Sequence, residues 1–291
     1  MPPLTIVKPM GQVTFLAKGF KLPVQWKSPS GNTAQEHFGK AFKDSEKMAV
    51  PKLIPPWFMP AIPGNKYSVD SCDEIGNNFK ETHDSMLDAV GFAHNMWKVQ
   101  AKFQNIIING PTAVGTPGCL NGPELESLIK NAPMVAAWTG NKAKHRDAIA
   151  AGVSKCFKQW QDMVTVPGLP WYPAFTAFPG PMAPPMPNVP TPLITCPSGM
   201  MSMIASPQMM KTEMGNALDG GLKSKDPDKH YEGLHEAIAT VLSLAFVAWL
   251  PQQMVMLVMG KGSIPTFAPP YVPVGPVVMG DIISAPGHLA A

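Results

Sequence analysis

Charge is what this chain most lacks. Lys, Arg, Asp and Glu make up 15% of its 291 residues, against ~25% in ordinary soluble domains. A free monomer normally keeps its surface charged and free of apolar patches. The shortage therefore implies a surface partly covered in use. The net charge of +3 is small and scattered, and gives no support to a nucleic-acid partner.

Cysteine is also sparse. Cys72, Cys119, Cys156 and Cys196 form no CxxC pair, which excludes a zinc ribbon and a dithiol redox motif. Reduced, buried thiols are the expectation. The N-terminus MPPLTIVKPMGQ lacks a basic start followed by an apolar stretch, so no secretory signal is expected. Asn-x-Ser/Thr sequons are missing as well.

Catalytic signatures are missing too: there is no GxSxG elbow, no HExxH and no paired acids at a strand end. Two look-alikes fail. Gly260-Lys261-Gly262-Ser263 resembles part of a phosphate loop, but position 255 is Val where that pattern needs Gly. It reads instead as a turn needing positive φ. Asp226, Asp228 and His230 alternate like the start of a calcium loop, yet position 237 is Ala where the bidentate Glu belongs. No catalytic, cofactor-binding or metal-binding residue is assigned.

What the chain has in excess is proline, with 34 residues, about 12% against a typical ~5%. It also has 20 Met. The proline-dense stretch 167–207 favours polyproline-type extension, although Trp171, Tyr172 and Phe175 make it too apolar for a solvated linker.

Aligned against itself, the chain shows a pattern. With Trp97, Trp160 and Trp249 in register, positions eleven, seven and four before them are Met86, Val90 and Ala93; Ile149, Val153 and Cys156; and Ile238, Leu242 and Ala245. Those offsets form one helical stripe. His83 and His235 lie fourteen residues before their Trp, and His145 fifteen. The three could converge as ligands, although imidazoles at helix starts more often face solvent or a carbonyl. Each helix is followed by a Pro step at Pro111, Pro173 or Pro265, then by Gly122-Pro123, Gly180-Pro181 or Gly275-Pro276. Internal triplication is the reading.

The fold expected is mainly α with long Pro/Gly-rich extended arms, in three helical-hairpin-plus-tail repeats. An extended N-terminal arm covers 1–31, with a short strand at Gln12 to Leu16, and the units are 32–122, 123–205 and 206–291. A capping box at Thr33 to Glu36 opens a helix to Met48, and another at Ser71 to Glu74 opens a long helix reaching Ile107. Further helices are expected over Pro123–Asn131, Asn141–Trp160, Pro207–Leu218 and Leu234–Trp249.

An apolar run at 238–259 approaches the ~20 residues that cross a bilayer. Pro251, Gln252 and Gln253 interrupt it, which favours a buried helix. The leading functional expectation is a non-enzymatic structural subunit of a large assembly, a virion or a phage-tail-like component (tail, baseplate or neck). It would be an oligomer with other subunits of the particle, assembled in a host cytoplasm, with no small-molecule substrate. Apolar arms would clamp neighbours through Trp57, Phe58, Trp171, Tyr172, Phe175, Phe267 and Tyr271, because buried aromatics dominate interfaces. The alternatives are a membrane-docked or membrane-inserting protein using 238–259 and an enzyme of unrecognised family.

Overall fold

The computed structural model describes residues 2–17, 66–226, 229–266 and 274–289; within it, the side chains of Leu16 and of residues 66–75 are not described. The expected helix at 34–48, the pair Trp57 and Phe58, and the residues Phe267 and Tyr271 lie outside the described residues.

Three long helices form the centre: α2 (Lys66–Gln100), α4 (Gly140–Asp162) and α8 (His230–Trp249). Their Trp-anchored stripes face one another. Met86, Val90 and Ala93 on α2, Ile149, Val153 and Cys156 on α4, and Ile238, Leu242 and Ala245 on α8 are all buried.

Short helices fill the grooves between the long ones. Helix α1 (Lys8–Ala17) packs against α8 and α2, α3 (Leu125–Lys130) against α2 and α4, and α6 (Pro207–Ala217) against α4 and α8. Two smaller helices, α5 (Ser202–Ala205) and α7 (Gly220–Lys225), complete this half. Pro207 stands at the first position of α6 after Ser206, where its missing N–H costs nothing. The Asp219 carboxylate accepts from Gly221 N–H at 2.7 Å and caps α7.

The expectation of a mainly α chain with extended arms is corrected by a six-stranded antiparallel sheet. The protein is mixed α/β, about 50% helix and 20% strand. The six strands are β2 (Ile106–Asn109), β3 (Thr112–Gly115), β5 (Val166–Pro170), β6 (Met182–Pro187), β9 (Met259–Ser263) and β10 (Val278–Ile283). Short strands β1 (Lys102–Phe103) and β4 (Leu120–Asn121) pair together, as do β7 (Thr191–Pro192) and β8 (Met254–Val255).

Proline misled the reading because these strands place it where no ladder bond is lost. Pro184 and Pro185 sit where the β6–β9 register shifts, between Ala183 and Met186. The long helix likewise does not reach Ile107. It stops at Gln100, and three consecutive isoleucines (Ile106, Ile107, Ile108) form β2, since β-branched side chains suit a pleated strand. Gly110-Pro111 is the two-residue hairpin turn between the paired Asn109 and Thr112, with Gly110 at φ 58°. At its start, α2 already runs from Lys66, so Ser71 is interior to it. The expected strand at 12–16 is part of helix α1.

The sheet order is β5-β3-β2-β10-β9-β6. Its two edges meet just past their ends, where Trp171 bridges Asn188 and Val189 N–H donates to the Pro170 carbonyl at 2.9 Å. The sheet therefore closes into a small barrel. Three hairpins build it: the ladders β2–β3 and β9–β10, and the looser pair β5–β6, whose strands bridge only at Trp171 and Asn188 just past their ends. The second strand of each hairpin pairs with the first strand of the next: β3 with β5, β6 with β9, β10 with β2. Advancing every label by one hairpin maps each of these three seams onto the next.

The barrel is narrow, and its interior needs glycine. A Cβ on Gly260 would lie 2.3 Å from Ile108 Cδ1, and one on Gly262 would lie 2.4 Å from Val277 Cγ1. Gly260-Lys261-Gly262-Ser263 is thus neither a phosphate loop nor a positive-φ turn. It is strand β9 with its backbone pressed against the barrel filling. The described part of the C-terminal tail is strand β10 and its return to the core, where His288 and Leu289 are buried. It is not an arm laid on a neighbour.

Candidate functional site

Where the three long helices converge, aromatic rings stack in two layers. Trp97, Trp160 and Trp249 are mutually in contact, with ring centroids 6.0–6.4 Å apart. One helical turn earlier, three residues before each Trp, stand His94, Phe157 and Phe246, with centroids 5.4–5.8 Å apart. Edge and tilted contacts of this kind add ~0.5–1.5 kcal/mol per pair beyond area burial. Trp97 Nε1 donates to Gln161 Oε1 at 2.8 Å and Trp249 Nε1 to Gln253 Oε1 at 3.1 Å.

His94 breaks this pattern. Two of three equivalent positions carry phenyl rings, and the third carries an imidazole that is fully buried with neither ring nitrogen hydrogen-bonded. Burial, reinforced by the Lys98 cation, holds its pKa well below the ordinary value. The ring is neutral and acts as an aromatic wedge. Lys98 itself is buried and donates from Nζ to the Pro2 carbonyl at 2.6 Å, tying the N-terminal segment to α2.

The three histidines aligned in the sequence serve local packing, and His83 lies in the middle of α2 rather than at its start. His83 is buried beside Gly11 of α1, with Nδ1 2.8 Å from Asp84 Oδ1. His235 is buried at the floor of an open cleft of about 300 Å³ between α6, α7 and α8, with Lys211, Tyr231 and Glu232 in its walls. Desolvation, helped by His145, Lys223 and Lys211, lowers the His235 pKa to about 3. Among the described residues no group of three or more His, Cys, Asp or Glu is placed to hold a metal ion.

Asp226 is a capping group. Its Oδ1 lies 2.6 Å from His230 Nδ1, and its Oδ2 accepts from Tyr231 N–H at the start of α8. Cys119, Cys156 and Cys196 are free and buried. Burial pushes their thiols up to about 12, 12 and 11, so the thiolate form that a nucleophile or metal ligand needs is suppressed.

The aromatic residues expected to anchor a neighbour are divided by the fold. Trp171 and Phe175 are buried in the protein's own core, with Trp171 Nε1 donating to the Met186 carbonyl at 3.1 Å, and neither is free to insert elsewhere. Tyr172 is 42% exposed.

Exposed apolar side chains that the sequence did not single out stand on both halves, with Phe92, Met96, Val99 and Leu244 on the helices and others on the barrel. Ile107 and Val114 stand on the outer wall of the first hairpin, Met182 on that of the second, and Val278, Met279 and Ile283 on that of the third. Burial alternates with period two along β2, β3 and β9, but the three isoleucines of β2 carry no matching apolar–polar alternation in the sequence. No family model, curated protein or solved structure matches the chain.

Proposed function

We propose that this protein is a non-enzymatic structural subunit of a large protein assembly, of the virion or phage-tail type, whose barrel is covered by other subunits. One observation carries the reading: the molecule is polarised. Among the described residues every ion pair joins helices or the turns around them, such as Lys8–Asp88, Lys142–Glu81, Lys155–Glu213 and Lys211–Glu236. The six barrel strands carry two charged side chains, Lys261 and Asp281, set opposite one another in the β9–β10 ladder. The rest of the wall is aliphatic residues, Met, Pro, Gly and a few small polar groups. Burying such a wall yields roughly 25 cal/mol per Å².

The clamping device is the barrel wall; of the residues expected in arms, Trp171 and Phe175 are buried in the core, and Trp57, Phe58, Phe267 and Tyr271 lie outside the described residues. The chain is three fused units, 32–122, 123–205 and 206–291. Helix α1, within 1–31, holds for the first unit the groove position that α3 and α6 hold for the others.

The membrane reading gains nothing from the structure. Among the described residues no helix is long and apolar enough to cross a bilayer. The run 238–259 is divided among helix α8, strand β8 and the start of β9. The barrel strands have 4–6 residues, short of the ~9–11 of a transmembrane strand.

Gradient sedimentation of gently lysed producing cells tests the proposal. The chain should travel with a particle far heavier than its own 31.3 kDa. Recovery only as a free monomer overturns the assembly reading.

A further inference from the structure

Three apolar faces surround the barrel, one per hairpin, and the three seams between hairpins follow one cyclic rule. We infer that the outer wall of the barrel is the seat of a homotrimeric partner, each of whose three subunits covers one hairpin through an apolar surface. This rests on the assembly reading and goes further by naming the symmetry and chemistry of the occupant.

The inference begins with topology. Each inter-hairpin seam joins the second strand of one hairpin to the first strand of the next. The three outer faces therefore point outward at equivalent stations around one axis, as three subunits of a ring would. The short helices repeat the arrangement below, each in a groove between two long helices. An asymmetric partner would contact one face and leave two exposed. A ring of identical subunits closed on a threefold axis meets all three at once.

The faces differ in identity but share chemistry. Val114 (51% exposed), Met182 (64%) and Met279 (70%) each lie on the second strand of their hairpin. A partner subunit meeting three different side chains of one character needs adaptable apolar contact rather than a fixed hydrogen-bond pattern. Methionine suits that, being unbranched and polarisable. Simultaneous engagement of three weak sites also raises the effective affinity without stronger single contacts.

Lipid and self-association are the competing occupants, and the strands are too short for the first. The second would require a wall with three different faces to complement itself.

Photo-crosslinking in producing cells tests the inference. A benzophenone amino acid replaces Val114, Met182 or Met279 in turn, and a control variant carries it at Lys158 on the helical half. All three barrel positions should join to the same polypeptide, and the control should not. Native mass spectrometry of the uncrosslinked complex should give three copies of that polypeptide per copy of this chain.

Adducts to three different proteins, a one-to-one complex, chain-to-chain adducts or no adduct at any barrel position each overturn it. So does flotation of the purified chain with 3:1 phosphatidylcholine–phosphatidylglycerol vesicles, if Met279→Lys abolishes it. A chain that sediments with particles but gives any of these results defeats this inference alone. A chain found only as a free monomer defeats the assembly reading as well.

Discussion

His94 is a polar residue in a phenyl position, and its cost is calculable in direction. A buried polar group without a partner costs ~1–3 kcal/mol. Replacing it by the residue that its two equivalents carry should remove that cost. His94→Phe is expected to raise the melting temperature, by about 2–4 °C per kcal/mol gained in a chain of this size. Differential scanning fluorimetry checks it, and a lowered midpoint would show that the imidazole is satisfied in a way the geometry does not reveal. The other buried histidines set the acid response. The folded-state pKa of His235 is about 3 and that of His288 about 4, in both cases through burial first. The unfolded chain titrates near the ordinary 6.5, so below that pH it takes up protons that the folded chain refuses. Stability should fall as pH drops from about 6.5 toward 4, and for His235 on toward 3. Well inside the window the slope approaches about 1.4 kcal/mol per pH unit for each such histidine. Urea titrations at pH 7, 6 and 5 measure this; a flat midpoint across that range would contradict the burial of these rings.

Between residues and the whole stand the helix contacts, where two glycines mark the closest approaches. A Cβ on Gly152 of α4 would lie 2.5 Å from the backbone nitrogen of Met214 on α6. One on Gly11 of α1 would lie 2.1 Å from His83 Nε2, at the far end of a side chain. Backbone yields less readily than a ring, so Gly152→Ala should cost more than Gly11→Ala, by about 1–3 kcal/mol for the first. Chemical denaturation of the two variants gives the ranking, and equal losses would mean that the two grooves are equally soft. The same elements show what the sequence disclosed and what it hid. The stripe at eleven, seven and four residues before each Trp was readable because apolar side chains recur there in all three helices, and those positions are buried. The layer three residues before was not, because His94 broke its apolar pattern. The hairpins stayed hidden for a different reason. Strand β6 (Met182–Pro187) puts proline at a register shift, and strand β9 puts Gly260 and Gly262 at the barrel interior. Both residues depress strand propensity, while the closed topology that makes them admissible depends on pairings among segments as distant as β2 and β10. Trp171 and Phe175 looked like free anchors because their segment read as an arm, and once the arm is a barrel wall they turn inward.

On the scale of the molecule, closure makes the barrel cooperative, and that determines what the C-terminal segment does. Strand β10 pairs with β9 on one side and β2 on the other, so it is the link between the third hairpin and the first. Its return reaches deeper. The Phe103 N–H donates to His288 Nδ1 at 2.8 Å, and Gln253 Nε2 donates to the Leu289 carbonyl at 3.0 Å while its Oε1 accepts from Trp249. One side-chain amide thus joins the end of the described chain to the tryptophan layer. Were the segment an arm, deleting 274–291 would leave a folded monomer with native tryptophan packing and remove only association with neighbours. Because it is a barrel stave, the deletion should open edges on β2 and β9, whose unpaired N–H and C=O groups template intermolecular pairing. It should also strip Trp249 of its hydrogen-bonded support. The expected result is loss of near-ultraviolet circular dichroism from the tryptophan cluster together with aggregation of the purified chain. Far-ultraviolet helix signal should survive in part, since the α2, α4 and α8 stripes remain. A truncated chain that stays monomeric with an unchanged near-ultraviolet spectrum would show that the barrel and the helices fold independently. The cyclic closure would then be a feature of the sheet alone.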